Sequence, residues 1–273
     1  MPKSNLRMPA VAGKFYPQEA QELRKQVASF IEEEKDKSNA LACILPHAGY
    51  MYSGAVAGKT LSCINLKEKI ILIGPNHTGY GLPFSIMTGG SWKTPLGQVK
   101  IDATLAGHLL EQSAYLKEDE QAHLYEHSLE VELPFLQYLK KDFEFVPIII
   151  SSDQLSSLKG LGKEIAGLIN RNNLKSSTLL IASSDMTHYE SQQEAERKDN
   201  EAIEAILELD EDKLMKRITG LNISMCGYAP VITVISAAKA LGAKKARLIK
   251  YQTSGEVTGD TESVVGYAGV IIE

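Results

Sequence analysis

His47 closes the apolar run ALACILP, His77 closes KIILIGPN, and His188 follows STLLIASSDMT. Any one of them alone fits a histidine hydrogen-bonded in a loop. Three of the chain's six histidines in equivalent places are a different observation. Imidazole titrates near neutrality and is the commonest side-chain metal ligand, so a set brought together from separate loops points to metal binding or proton transfer. Cys226, in SMCGYAP, adds a softer donor. It stands just before a helical pattern that starts near Tyr228, where the positive end of the helix dipole favours a thiolate, the form required of a ligand or nucleophile. Cys43, within a strand pattern, and Cys63, within a helical one, read as small buried hydrophobes.

A rival motif lies in AHLYEHSLEVELPF, where His123, Glu126 and His127 fit the H-x-x-E-H pattern of a zinc peptidase. Glu201 or Glu204 would then supply a distant third ligand. The context weighs against it: the segment runs into Pro134, its charges look like those of a surface, and the other three histidines would have no role. The expectation is a solvated His123 and a His127 that faces the pocket.

The elements that must position these groups are legible as apolar runs bounded by polar residues or glycine. ALACILP, KIILIGP, EFVPIII, STLLIAS, ARLIKYQ and VVGYAGVII read as buried strands. Helical patterns separate them at SGAVAGKTLSCI, DATLAGHLLEQ, EVELPFLQYLKK, LKGLGKEIAGLINR, QEAERKDNEAIEAILEL and YAPVITVISAAKAL. A further amphipathic helix, QELRKQVASFIEEEK, precedes them with Leu23, Val27, Phe30 and Ile31 on one stripe. Such alternation predicts an α/β fold, a largely parallel central sheet flanked by helices. No repeat, low-complexity tract or linker divides the 273 residues, so residues 1–273 are expected to form a single domain. In sheets of this kind ligands bind beyond the carboxyl ends of the strands, which is where His47, His77 and His188 fall.

Composition narrows the function classes. With 44% hydrophobic and 23% charged residues and a net charge of −5, the chain is an ordinary globular sequence without a basic face, so neither nucleic acid nor an anionic membrane is expected as a partner. The N-terminal stretch MPKSNLRMPAVAGKFYP has no continuous apolar core and is not read as a secretion signal. The longest apolar segment, from Tyr228, is too short to span a bilayer and reads as a buried helix. Three cysteines without a paired zinc or redox spacing suit free thiols in a reducing compartment, hence a cytoplasmic protein.

The segments AVAGKFYP, LPHAGYMYSG, LIGPNHTG, TPLG, EHSLEVELPF, SSDMTHY, MCGYAP and SVVGYAGV, in that order, resemble the Memo family, whose members also go by AmmeMemoRadiSam system protein B. The resemblance covers nearly the whole chain. That family is similar in fold to the class III extradiol dioxygenases, non-haem iron enzymes that open catechol rings. It implies that His47 and His77 are the imidazole ligands of a metal and Cys226 the third. His188 would stand at the dioxygenases' acid-base histidine, with Asp185 orienting it. The resemblance further implies a substrate pocket walled by Phe15, Tyr50 and Tyr52, with Asn76 and His127 facing it.

One position departs from the dioxygenases, which complete the ligand set with a carboxylate. A thiolate is softer, suits Cu(I) or Zn(II) beside Fe(II), and can itself be oxidised. Iron- or copper-dependent redox chemistry ranks first, with zinc as a further fit. The alternatives are a non-catalytic module that holds a peptide or small acid in a dioxygenase-like pocket, and the zinc peptidase above. The family's association with a radical-enzyme pathway implies a partner protein there, beside an unidentified small molecule or peptide.

Overall fold

The computed structural model describes residues 6–273; of the stretch read for a secretion signal, residues 1–5 lie outside it. All six apolar runs form strands, and shorter strands join them. In chain order the first six are β1 (Leu6–Arg7), β2 (Ala42–Leu45), β3 (Lys69–Pro75), β4 (Phe84–Ile86), β5 (Ser91–Thr94) and β6 (Gly97–Lys100). The remainder are β7 (Lys117–Glu118), β8 (Glu144–Ile150), β9 (Thr178–Ser183), β10 (His188–Glu190), β11 (Ala246–Thr253) and β12 (Val264–Ile272).

Nine of them make one sheet in the order β10-β12-β2-β9-β3-β8-β4-β7, with β11 on the other flank of β12, while β1, β5 and β6 form a small separate sheet. The strands β2, β9, β3 and β8 are mutually parallel. Strands β12, β11, β10 and β4 pair antiparallel. The largely parallel sheet expected from alternation is thus the centre of a mixed sheet. Its central strands are buried on both faces, which is why they read as unbroken apolar runs. Pro147 sits inside β8 one residue past the last β4 pairing, Ile86 to Ile148, so its missing N–H costs that ladder nothing.

The run ARLIKYQ differs from its reading as a buried strand: β11 is an edge, with Arg247 and Leu248 exposed. The helix from Tyr228 does form, over Tyr228–Ala240, and is buried from Ala229 to Ala238. It packs on the helix Leu155–Arg171, where a Cβ at Gly162 would meet the Thr233 carbonyl. No helix among the described residues is long and apolar enough to cross a membrane. The first helix, Ala20–Phe30, buries Leu23 and Val27 and sets Phe30 into a notch made by Gly54 and Gly58 on the helix Tyr50–Ser62. The pattern EVELPFLQYLKK resolves into a 3-10 turn at Glu130–Glu132 followed by a helix at Leu133–Leu139. A helix at Glu211–Gly220, capped by the Asp210 carboxylate, lies outside the expected set.

Candidate metal centre

Strand β9 lies between β2 and β3, and the register pairs Leu45 with Ser183 and Ile73 with Ala182. His47, Asp185 and His77 therefore each follow by two residues the last residue of one of three adjacent parallel strands, Leu45, Ser183 and Pro75. The donor atoms of His47, His77 and Cys226 lie within 4.8 Å of one another. Cys226 comes from elsewhere in the chain, on the turn before the helix Tyr228–Ala240. Its approach depends on Gly227, whose amide donates to Ser184 Oγ at 3.0 Å and where a Cβ would collide with the Ser183 carbonyl and the Ser184 side chain.

Each imidazole has one nitrogen already engaged. His47 is buried; its Nδ1 lies 2.7 Å from Ser183 Oγ and its Nε2 3.3 Å from Cys226 Sγ. His77 Nδ1 lies 2.9 Å from Glu126 Oε1, which leaves Nε2 as its free nitrogen. A carboxylate or hydroxyl behind a ligating imidazole fixes its tautomer and raises its basicity. Glu126 and His127 also lie within reach of His77 as a second donor group. Glu126, however, already accepts from the amides of His77, His127 and Ser128 as well as from the His77 ring. Its oxygens are committed to orienting His77.

Burial, with His127, His77 and His188 adding to it, holds the His47 imidazole well below its ordinary value. His127 is pushed down to about 4, chiefly by burial. Burial also works to lower His77, but its hydrogen bond and charge interaction with Glu126 outweigh that and raise it. For Glu126 burial opposes ionisation, yet the same pair and the surrounding N–H groups bring the carboxyl down to about 2. Enclosure of the thiol, and then the neighbouring Asp185, raise Cys226 well above the ordinary cysteine value. Against the expectation of an easily ionised Cys226, enclosure of the thiol beside the Asp185 carboxyl disfavours the thiolate. A cation bound between two imidazoles and that sulfur would supply the charge a thiolate needs.

His188 opens β10. Its Nδ1 faces the carbonyls of Met186 at 2.8 Å and Ser224 at 3.0 Å, so Nδ1 carries the proton and Nε2 is left as the base. These two carbonyls orient the ring, and Asp185, implied for that role, is used elsewhere. Asp185 Oδ1 accepts from the His47 amide at 2.8 Å, and the Asp185 amide donates to Cys226 Sγ at 3.3 Å. Burial lifts the Asp185 carboxyl to about 7, against the His47 N–H that favours its charge.

The implied pocket residues divide. The rings of His127 and His77 stack at 4.6 Å, with His47 at 5.5 Å from His127 and Phe15 edge-on to it at 4.8 Å. Tyr52 is half-buried and close enough to Tyr267 to affect its ionisation. Tyr50 is core: its hydroxyl donates to the Val131 carbonyl at 2.7 Å and its ring packs 4.7 Å from Phe135. Asn76 shapes its own loop, its Oδ1 accepting from the amides of Thr78 and Gly79.

The H-x-x-E-H reading comes apart in three dimensions. His123 is fully buried against Trp92, its Nδ1 2.9 Å from the Asp119 carbonyl, and is neither solvated nor beside His127's cluster. The charges around it are not those of a surface either, since Glu126, Glu130 and Glu132 are all buried. Arg7 pairs with Glu130 and donates to the His123 and Glu126 carbonyls, at 2.8 and 2.5 Å, and stacks over Trp92 at 4.1 Å. Glu201 and Glu204 are engaged by Arg217 and Lys213. Sequence reasoning missed Ser183 and Glu132 and gave Glu126 another role. The available signal was carboxylates interleaved with Leu129, Val131 and Leu133, which places charge where apolar neighbours are buried.

Residues 7–271 match the family described as "Memo-like protein". A MEMO1 family protein of Methanosarcina barkeri is 44% identical over 270 residues, covering 98% of this chain and 100% of its own. One from Aquifex aeolicus is 41% identical over 268 residues, 97% of this chain and 98% of its own. Among solved structures, an uncharacterised protein of Escherichia coli K12 is similar in fold, with a TM-score of 0.56 at 16% identity over 83% of this chain and 98% of that one.

Proposed function

The chain belongs to the Memo-like protein family, and on that premise we propose that it binds a redox-active metal ion through His47, His77 and Cys226 and acts on a small molecule beside it. One observation carries the reading: the three donor atoms lie within 4.8 Å of one another, and both imidazoles are held from behind. The donor set fits Fe(II) or copper, and Zn(II) as well, since thiolate and imidazole suit all three. When bound, such an ion supplies Lewis acidity and, for iron or copper, electron transfer.

The chain's own residues do the rest. Glu126 and Ser183 orient the two rings, while Phe15 and His127 form an aromatic wall. His188, held by two carbonyls and half-buried, is placed to accept a proton at Nε2. Anaerobic purification followed by elemental analysis tests the reading. About one equivalent of iron or copper in the wild type, and its loss in His47→Ala and His77→Ala, is the expected result. Metal-free protein that also takes up none of these ions on reconstitution would sink it and leave the pocket as a binding module.

A further inference from the structure

Ser183 Oγ, directly behind His47, has three polar neighbours: His47 Nδ1 at 2.7 Å, the Ser128 carbonyl at 2.7 Å and Glu132 Oε1 at 3.1 Å. A hydroxyl has one proton to give and two lone pairs to receive. The Ser128 carbonyl can only accept, so it takes the Ser183 proton. Both remaining neighbours must then be donors. For His47 that means Nδ1–H and a bare Nε2 facing Cys226. For Glu132 it means a protonated carboxyl.

The surroundings of Glu132 agree. Its side chain is fully buried, and Oε2 has no hydrogen-bond partner among the described residues. The other two buried glutamates of this segment are compensated, Glu130 by Arg7 and Glu126 by His77 and backbone N–H groups. No cation pairs with Glu132 among the described residues. The ionisable groups that sense it are Asp185, Cys43 and Tyr50, each of which is anionic when charged. Burial without a counter-charge holds a carboxyl in its neutral form.

We propose that Glu132 is a positioning residue of the metal centre: a neutral carboxylic acid that donates its proton to Ser183 and thereby holds His47 with an unprotonated Nε2 turned toward Cys226. Ser183 relays the constraint: a Glu132 that donates does not compete for the Ser183 proton, and its bond holds the hydroxyl in the rotamer that points that proton at Ser128 and a lone pair at His47 Nδ1. The positioning role rests on the reading of His47 as a ligand. The protonation of Glu132 does not.

The test uses metal-free full-length protein and Zn(II) as the probe. Infrared difference spectra of wild type against Glu132→Gln are expected to show a carboxylic-acid carbonyl band, shifted in D2O, that the variant lacks. Nitrogen-15 resonances of His47 are expected to report Nδ1–H in wild type and in Glu132→Gln, whose amide N–H replaces the donor. In Glu132→Leu the second tautomer should appear, and Zn(II) affinity should fall about ten- to a hundredfold while Glu132→Gln stays close to wild type. An unchanged infrared spectrum in Glu132→Gln, or a Gln variant as impaired as Leu, overturns the proposal. If Glu132→Leu fails to fold, the infrared and tautomer comparisons with Glu132→Gln still decide it. A wild type that binds no Zn(II) would remove the metal reading and the positioning role with it, while the same two measurements would still report Glu132's proton.

Discussion

Cys226 is the residue on which the proposed metal chemistry turns. In the metal-free protein its raised thiol holds a proton at neutral pH, so a cation that binds as a thiolate complex must expel it. Affinity is therefore expected to rise with pH, about tenfold per unit for one proton released, and to fall as the solution is acidified. Protonation of His77, whose value is also raised, steepens the acid limb. Cys226→Ser should flatten the slope and weaken soft ions most, Cu(I) before Zn(II) before Fe(II); Cys226→Asp should shift preference toward Fe(II). Anaerobic titrations at several pH values check both, and equal affinities across the three proteins would return Cys226 to a packing role. His188→Ala gives the complementary expectation. It should keep the metal and lose about a hundredfold or more of any turnover found, measured by metal content beside rate; loss of the metal with the fold intact would make His188 a ligand.

At the scale of elements, strand ends explain what was legible. Runs such as KIILIGP announce themselves because both faces are buried, and the residues just beyond them can be counted off, so His47 and His77 were visible as a set. Strands of two or three residues such as β1, β4 and β7 carry too little pattern to be read, and the antiparallel flanks depended on which runs would pair. The residues behind the imidazoles were hidden for a related reason. Ser183 meets His47 through strand register, and Glu126 meets His77 across a gap of 49 residues, neither of which leaves a local period. One element-scale expectation follows from the turn before Tyr228. Gly227→Ala puts a methyl group against the Ser183 carbonyl, at an expected cost of about 1–3 kcal/mol, and should pull Cys226 off the strand ends. Denaturation curves and Zn(II) binding, measured together, would show binding falling by more than the stability loss explains. Unchanged binding would mean that the close approach does not seat the thiol.

Over the whole molecule, the N-terminal arm is fastened to the segment that carries the orienting carboxylate. Arg7 joins Glu130, Trp92 and the Glu126 carbonyl, while the Tyr16 hydroxyl and the amides of Ala10 and Val11 complete the shell of Glu130. Removing one partner of a buried, hydrogen-bonded pair strands the other, so Arg7→Ala should cost about 3–5 kcal/mol in chemical denaturation. A loss under 1 kcal/mol would show that the arm is not anchored there. The sequence displayed the acidic residues of this segment plainly, but nothing in their spacing tied them to an arginine more than a hundred residues earlier.

The pairing of β12 with β2 bears on how the chain reaches this structure. Ile44 and Cys43, leading toward His47, take Val270 and Ile271 as antiparallel neighbours, so one edge of the first central strand stays open until residues 270–272 have been synthesised. Loop closure over such a separation slows folding, and an open apolar edge in the interval invites pairing with other chains. The strand that leads to the first of the proposed metal ligands is thus the one whose completion waits longest.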